Sequence, residues 1–267
     1  MKFLYATDLH GAEDKYNALF DFAIGHDIHL IHLGADLLPK GPDMLGMQKS
    51  FVNGFLKRFY KKCKDINIVL IGFFGNDDIY TRKKYFKEYG TLLDETPYSF
   101  EGYEFKAYPY VMDYPFGLKT ACKLDSSDWI YSEDNYLGPP CDFTERGYTK
   151  IVNIKEYFRK KGTIEEDLKN LTATDKTIMA MHMPPCGLNM DVCLDGRRVG
   201  SKAIYGWIVR EQPLLTLHGH IHESYKHSWK DYVGNTLVIQ PGQEYRRTNA
   251  VFVEIENHKI DTHFLTL

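Results

Sequence analysis

Short hydrophobic runs alternate with amphipathic stretches along this chain, and that order predicts strands followed by helices. Apolar and β-branched runs predict strands at residues 2–7, 28–33, 66–73, 177–181 and 213–217, and antiparallel strands at 236–240, 250–255 and 259–265. Apolar residues at helical spacing predict helices from about residue 13, over about 45–62, near 163–171 and over about 201–211. The alternation is typical of α/β folds with a parallel sheet.

Residues 113–149 interrupt this pattern. They are rich in Gly, Pro, Ser, Asp and aromatic residues and show no sustained hydrophobic period. We predict a long irregular excursion over the surface there, in the neighbourhood of any site formed at the strand ends. The chain has 267 residues, 43% hydrophobic and 14% aromatic, which is enough for a large core. We therefore predict a single domain over residues 1–267.

Charge and cysteine content exclude several classes of protein. The formal net charge of −3 gives no uniformly basic face, so we do not expect nucleic acid as a partner. The five cysteines form no CxxC pair and indicate reduced thiols. The N-terminal segment turns polar too soon for a signal peptide, and no apolar run is long enough to span a membrane. We expect a cytoplasmic protein without a membrane partner.

Polar residues that bind metals follow the predicted strands. They are Asp8, His10, Asp36, Asn76, His182, His220 and His222. The carboxyl ends of parallel strands meet at one edge of a sheet, so these side chains should converge. Carboxylate, amide oxygen and imidazole suit Mn²⁺, Fe²⁺ or Zn²⁺. The set is large enough for two divalent metal ions, and the two oxygens of Asp36 could bridge them.

These residues fall in five sequence blocks. The blocks are Asp8-Leu9-His10-Gly11, Gly34-Ala35-Asp36, Gly75-Asn76-Asp77-Asp78, Met181-His182-Met183-Pro184-Pro185 and Gly219-His220-Ile221-His222. Through these five blocks, taken in this order, the chain resembles the calcineurin-like metallophosphoesterase family, and the resemblance covers nearly its full length. The resemblance implies a four-layer αββα sandwich of two mixed β-sheets flanked by helices.

The resemblance also implies which residues bind which metal. Asp8, His10 and His222 would bind the first ion, Asn76, His182 and His220 the second, and Asp36 both. It further implies hydrolysis of a small phosphorylated substrate, by in-line attack on phosphorus of a hydroxide that the two ions hold between them.

One position departs from the family pattern. Family members usually carry a histidine after the metal-binding asparagine, whereas this chain has Asp77. A carboxylate beside two cations stays ionised, so it would repel a dianionic monoester and serve poorly as an acid. We therefore expect a phosphodiesterase. A phosphomonoesterase of the same fold and a non-catalytic scaffold that keeps the fold remain the alternatives.

Four further residues are candidates for direct roles. Asp77 and His218 are candidate catalytic residues, although His218 could instead support a neighbouring ligand by hydrogen bonding. Arg197 and Lys40 are candidates for binding the substrate phosphate, since both cations can pair with phosphate oxygens. The alternative for both is an ordinary solvated surface position.

Overall fold

Two mixed β-sheets lie at the centre of the protein in a computed structural model, which describes residues 1–79, 83–88, 90–93, 96–128, 137–144 and 147–267. In spatial order the first sheet contains β17 (Lys259–Thr266), β16 (Asn249–Glu256), β1 (Lys2–Ala6), β2 (Leu30–Leu33), β3 (Val69–Gly72) and β4 (Thr91–Leu92). The strands β1 to β4 are parallel, whereas β16 is antiparallel to β1 and β17 is antiparallel to β16.

The second sheet has the same mixed character. Its strands are β14 (Lys230–Val233), β15 (Thr236–Ile239), β13 (Leu215–Leu217), β12 (Thr177–Met181), β6 (Tyr103–Tyr108) and β5 (Tyr98–Phe100). The four central strands are parallel, and the two edge strands are antiparallel to their neighbours. The parallel strands of each sheet therefore end at a common edge.

Helices cover the outer faces of both sheets. The first sheet is covered by α1 (Glu13–Gly25), α2 (Met44–Phe51) and α3 (Lys57–Asp65), with a π-helical segment, Val52–Leu56, between the last two. The second is covered by α5 (Ile154–Lys161), α6 (Ile164–Leu168) and α7 (Lys202–Glu211). A short α4 (Lys83–Phe86) and a 3₁₀ turn, Ser224–Lys226, complete the described helices. Among the described residues, no helix combines the length and the apolar character of a membrane span.

Alternating side chains divide the core into three parts. On β1, Phe3 and Tyr5 face the second sheet and join an inter-sheet cluster with Phe105 and Ile178. The residues that alternate with them on the same strand, Leu4 and Ala6, point to the other face and pack against the helices of the outer layer. A third cluster lies between the second sheet and its helices and contains the buried Trp207. The predicted four-layer αββα sandwich is confirmed.

The structure differs from the sequence prediction in residues 113–149. This region contains β8 (Phe116–Leu118), β9 (Cys122–Lys123), β10 (Leu137–Thr144) and β11 (Gly147–Lys150), and β9 pairs with β7 (Val111–Met112). The prediction of irregular structure was therefore wrong for these strands. Residues 129–136 and 145–146 lie outside the described part of the chain. The strand β11 is largely exposed and β8 has no fully buried residue, so neither strand shows an alternating hydrophobic pattern.

Two helical regions also differ from their predictions. The predicted helix over 45–62 extends from Met44 to Asp65 with a π-helical middle. The sequence pattern missed α5, because only Ile154 and Phe158 are buried on its eight residues. The Asn153 side chain begins α5 by accepting a hydrogen bond from the Glu156 backbone.

Candidate metal centre

Unusual backbone conformations at the strand ends bring the predicted ligands together. Asp8, His10, Asp36 and His220 have φ of 55°, 44°, 53° and 70°. Non-glycine residues rarely adopt positive φ, and such residues concentrate at functional sites. The Asp8 amide donates to Ala35 O and the His10 amide to Asp36 O, both at 2.9 Å. The loops after β1 and β2 are thus held against each other.

Asp8, His10 and His222 form a first ligand group. One ligand atom from each lies within 4.8 Å of the other two. His10 Nε2 and His222 Nε2 are 3.1 Å apart, and His222 Nε2 is 3.5 Å from Asp8 Oδ1. The Asp8 carboxylate also accepts from the His220 amide, at 3.1 and 3.2 Å to its two oxygens. This bond fixes the carboxylate to the segment that carries both histidines.

Asp36, His182 and His220 form a second ligand group, again within 4.8 Å of one another. The Asn76 amide oxygen joins them, because Asn76 Oδ1 lies 3.0 Å from His182 Nε2 and 2.9 Å from His220 Nδ1. His182 Nε2 is 3.3 Å from Asp36 Oδ2. Four residues from four separate strand ends therefore share one small volume.

Asp36 belongs to both sides of this cluster. Besides its place in the second group, it forms a third close set with His10 and Asp77. Its Oδ1 accepts from the Asp77 amide at 2.9 Å, while Oδ2 faces His182. The structure thus brings the predicted ligands together and places Asp36 close to His10 of the first group as well as to His182 and His220 of the second.

The carboxylates of the cluster are ionised and two of its imidazoles are neutral. Burial opposes ionisation of Asp8, but its hydrogen bond to His222 lowers the pKa of Asp8 to about 2. Burial also opposes ionisation of Asp36, and the charge of His182 lowers its pKa well below the ordinary value. Burial lowers the pKa of His10 to about 4 and that of His220 to about 3. Burial opposes protonation of His182 and His222, but the charge of Asp36 raises the pKa of His182 to about 9 and the hydrogen bond to Asp8 raises the pKa of His222. Anionic carboxylates and neutral imidazoles are the states that bind metal cations, so a cation would take the place of the proton on these two rings.

The donor set fits a pair of divalent cations. Two carboxylates, one amide oxygen and four imidazoles converge, a ligand mixture suited to Mn²⁺, Fe²⁺ or Zn²⁺. The Nδ1 atoms of His10 and His182 are buried and, among the described residues, lack a hydrogen-bond partner. The Nε2 atoms of the same two rings instead face the other ligand atoms: His10 Nε2 lies 3.1 Å from His222 Nε2, and His182 Nε2 lies 3.3 Å from Asp36 Oδ2. These observations support a dinuclear centre.

Comparison with known proteins finds similar folds among solved structures. No protein-family model and no curated protein sequence matches the chain. A dimetal phosphatase from Danio rerio aligns over 100% of this chain and 98% of its own, with a TM-score of 0.53 and 12% identity. A Thermus thermophilus protein aligns over 98% of both chains, with a TM-score of 0.54 and 14% identity. Another solved structure aligns over 98% of both chains, with a TM-score of 0.59 and 16% identity.

Identities this low show the fold alone. This chain has a calcineurin-like metallophosphoesterase fold. The expectation drawn from the five sequence blocks is thereby confirmed for the fold.

In this metallophosphoesterase fold, glycines allow the strand ends to approach. A Cβ added at Gly75 would overlap Asp36 Oδ1 and lie 2.8 Å from the Asp36 amide. A Cβ added at Gly219 would lie 2.8 Å from Asp8 Oδ2 and also overlap Thr7. Any larger residue at either position would therefore move a ligand carboxylate.

Sequence reasoning missed two residues that hold the loops of the metallophosphoesterase fold in place. Asp78 accepts from the amides of Leu37 at 3.0 Å, Leu38 at 2.7 Å and Gly75 at 2.9 Å. Gln48 donates to Asp77 O at 2.7 Å from the helical layer. Asp78 lies within one of the five sequence blocks, but the block alone could not reveal that its carboxylate is buried. Nor could it reveal the hydrogen bonds to Leu37 and Leu38, which lie 41 and 40 residues away along the chain.

His218 lies behind the ligand cluster. Its ring is fully buried, with Nδ1 2.9 Å from Met183 O and 3.1 Å from Met181 O, and Nε2 2.9 Å from Thr216 Oγ1. These bonds hold the segment on either side of His182. The placement favours a positioning role for His218, the alternative considered from the sequence.

Asp77 and the two candidate phosphate-binding residues lie at the open side of the cluster. Lys40 Nζ forms an ion pair with Asp77 Oδ2 at 2.5 Å. Arg197 is exposed, and its Nε pairs with Asp195 Oδ2 at 2.7 Å. Lys40, Asp77 and Arg197 all line one cavity together with Asn76 and His220. All three side chains are therefore within the cavity that leads to the ligands.

Proposed function

We propose that this protein is a dinuclear-metal-dependent phosphoester hydrolase whose preferred substrates are phosphodiesters. The position of Asp36 between two separate groups of metal-binding atoms supports this proposal most directly. Two cations that share a carboxylate are typical of enzymes that hydrolyse phosphoesters. The dimetal phosphatase from Danio rerio has the same fold.

Seven side chains would hold the two ions. Asp8, His10 and His222 would bind one and Asn76, His182 and His220 the other, with Asp36 shared between them. The chemistry supplied by bound divalent cations is the acidification of a water molecule and the neutralisation of phosphoryl charge.

The surrounding residues keep these ligands oriented and charged. The His220 amide fixes the Asp8 carboxylate, and the Asp77 amide fixes Asp36. His218 holds the backbone on both sides of His182. Since these hydrogen bonds come from backbone groups and buried side chains, the ligands are arranged before substrate arrives, which lowers the cost of reaching the reactive geometry.

Asp77 supports the preference for diesters. Burial and the nearby Asp36 raise the pKa of Asp77 to about 6, against the opposing charge of Lys40. Two bound cations would lower that pKa again, so Asp77 would be ionised at neutral pH. A carboxylate at the cluster repels a dianionic monoester more strongly than a diester, which carries one charge fewer.

A phosphomonoesterase is the second candidate, because the ammonium of Lys40 offsets the charge of Asp77. Rates on an aryl phosphodiester and on the matching monoester, measured with Mn²⁺ present, decide between the two. We expect the diester to be hydrolysed with the higher kcat/KM. A clear monoester preference would show that the ion pair dominates the charge of the site.

Asp36→Asn tests the catalytic proposal itself. Asparagine keeps an oxygen that can accept from the Asp77 amide but removes the shared negative charge. We expect hydrolysis to fall to near background and bound metal to decrease, with an unchanged circular dichroism spectrum. Asp261→Asn, on the distant strand β17, serves as the matched control. Wild-type rates in Asp36→Asn would refute the proposal, and bound metal without hydrolysis in the wild type would favour a non-catalytic scaffold.

A further inference from the structure

Two cavities adjoin the ligand cluster. The Tyr114 cavity has a volume of about 520 Å³ and is lined by Asn76, His220, Tyr114 and Phe116. The Lys15 cavity also has a volume of about 520 Å³ and is lined by Asp8, His10, Lys15 and Tyr225. One cavity thus contains ligands of the second group and the other contains ligands of the first.

The two cavities meet at the cluster. His222 and Glu223 line both of them. A phosphoryl group at the metal ions that the seven ligands would hold would therefore have one cavity on the side of Asn76 and His220 and another on the side of Asp8 and His10. Each volume lies in the range of about 300–1,000 Å³ that is usual for small-molecule sites.

The walls of the Tyr114 cavity suit a planar apolar group. The Tyr114 ring lies 5.0 Å from the His220 ring and 6.0 Å from the Phe116 ring, between centroids. The Tyr114 hydroxyl donates to Val199 O at 2.5 Å, which fixes the ring. Phe116 is 45% exposed, a large apolar surface beside a ligand cluster. Aromatic walls of this kind bind flat rings by offset or edge contacts.

The Lys15 cavity has a different chemistry. Lys15 is only 5% exposed, and its ammonium donates to Glu244 O. An ammonium has three donors, so donors remain for a ligand. Lys226 and Tyr225 add further polar groups to the same wall, which also contains the acidic residues Glu223 and Glu244. A group with hydrogen-bond acceptors for the Lys15 ammonium is the occupant that this cavity fits.

From these contacts we infer that the substrate is a phosphodiester with a sizeable group on each side of phosphorus, a planar apolar group in the Tyr114 cavity and a polar, acceptor-bearing group against Lys15. This inference rests on the proposed function. A monoester, or a diester with one methyl group, would leave one cavity without an occupant. Lys15 would then be a specificity-determining residue.

Equilibrium binding of phosphinates, which cannot be hydrolysed, tests the need for two groups. Dibenzylphosphinate mimics a diester with two large groups, and benzyl(ethyl)phosphinate mimics one with a single large group. By calorimetry on the metal-loaded protein, we expect the dibenzyl compound to bind at least about tenfold more tightly, since its second benzyl group covers the apolar part of the Lys15 cavity wall, Leu9 and Leu194, which an ethyl group leaves largely uncovered. Equal affinities, or binding of neither compound, would overturn the inference.

Variants that fill each cavity locate the two groups. Val199→Trp narrows the Tyr114 cavity, and Leu194→Trp narrows the Lys15 cavity. Each should remove most of the advantage of the dibenzyl compound. Lys259→Trp, at a surface hollow on strand β17, is the control and should retain that advantage. Retention of the advantage in both filled variants contradicts the inference.

Lys15→Met tests the polar side. We expect this substitution to weaken the binding of benzyl(2-carboxyethyl)phosphinate at least about tenfold, because a buried cation is lost. The binding of dibenzylphosphinate should be weakened much less. Lys259→Met is the control. Equal weakening of the two compounds would show that Lys15 only shapes the cavity.

Hydrolysis separates this inference from the proposed function. If an aryl diester is hydrolysed while the two phosphinates bind equally, the function stands and the two-group substrate is rejected. If no diester is hydrolysed by the metal-loaded protein, the proposed function fails whatever the affinities are.

Discussion

Lys40 Nζ lies 2.5 Å from Asp77 Oδ2, at the mouth of the cluster formed by the seven ligands. Asp77 occupies the position where the resembling family usually has a histidine. The tertiary structure thus gives this unusual carboxylate a cationic partner that comes from the loop after β2. The charge that the substrate meets is set by the pair rather than by Asp77 alone.

Removing Lys40 should sharpen the preference for diesters. In Lys40→Met, Asp77 keeps its charge without a partner, and its repulsion of a dianionic monoester grows. Two like charges about 4 Å apart repel each other by about 1–4 kcal/mol, so the unpaired Asp77 should raise the ratio of diester to monoester kcat/KM by roughly tenfold. Lys64→Met, an exposed position on α3, should leave the ratio unchanged. A fall in the ratio would mean that Lys40 binds the diester directly.

Gly75→Ala should weaken metal binding, because the new Cβ would overlap the shared carboxylate of Asp36. We expect metal affinity to fall by at least about tenfold, as when groups that orient ligands are changed, and stability to fall by about 1–3 kcal/mol. Metal titration by calorimetry and urea denaturation measure the two effects.

Gly206→Ala provides the matched comparison for this substitution. Gly206 lies within α7, and an added Cβ there meets no atom within 4 Å. Alanine should stabilise this helix by about 0.5–1 kcal/mol. Unaltered metal affinity in Gly75→Ala would show that the Asp36 loop can move without loss of the site.

His32 should make the protein less stable in mild acid. Its ring lies between the sheets, 5.4 Å from the Tyr5 ring and 5.7 Å from the Phe105 ring. Neither ring nitrogen has a hydrogen-bond partner among the described residues. Burial lowers the pKa of His32 to about 3, from an ordinary value of 6.5.

The sign of the pH effect follows from this lowered pKa. Below pH 6.5 the unfolded chain binds a proton at His32 that the folded chain excludes until the pH approaches 3, so stability is lost as the pH falls through this window. At pH 5 the loss is about 2 kcal/mol. The stability of His32→Leu relative to the wild type should therefore rise by about 2 kcal/mol between pH 7.5 and pH 5.

Urea denaturation of the metal-free proteins at both pH values measures this difference, with the exposed His29→Leu as the control. A pH-independent difference between His32→Leu and the wild type would mean that His32 is protonated or solvated in the folded state.

Metal loading should stabilise the wild type. Ligands that bind only the folded state add about 2.7 kcal/mol at a free concentration of 100 times Kd. We expect Mn²⁺ to raise Tm and to saturate at two equivalents per chain. Ca²⁺ prefers oxygen ligands, so a cluster containing four imidazoles should respond to it weakly. Saturation at one equivalent would rule out a dinuclear centre with seven protein ligands.

The sequence was sufficient to predict the layers and the residues that could bind metal. Short apolar runs such as those of β1 and β12, bounded by polar residues, indicate buried strands, and the order of the elements restricts the topology. The four layers themselves were implied by the resemblance of the five sequence blocks to a known family. Ligand types such as Asp8 and His222 are recognisable because metal binding requires particular atoms. These properties are local, so a single sequence displays them.

The partners of those residues were decided by the tertiary structure. The ion pair of Lys40 with Asp77 and the hydrogen bonds of Asp78 to the amides of Leu37 and Leu38 join segments that lie far apart along the chain. Asp78 also accepts from the nearby Gly75 amide, and the tertiary structure buries His218 away from solvent. The two cavities likewise form between loops from different strands. Charge, burial and shape at a site depend on distances between such segments, and the hydrophobic period of one segment carries no information about them.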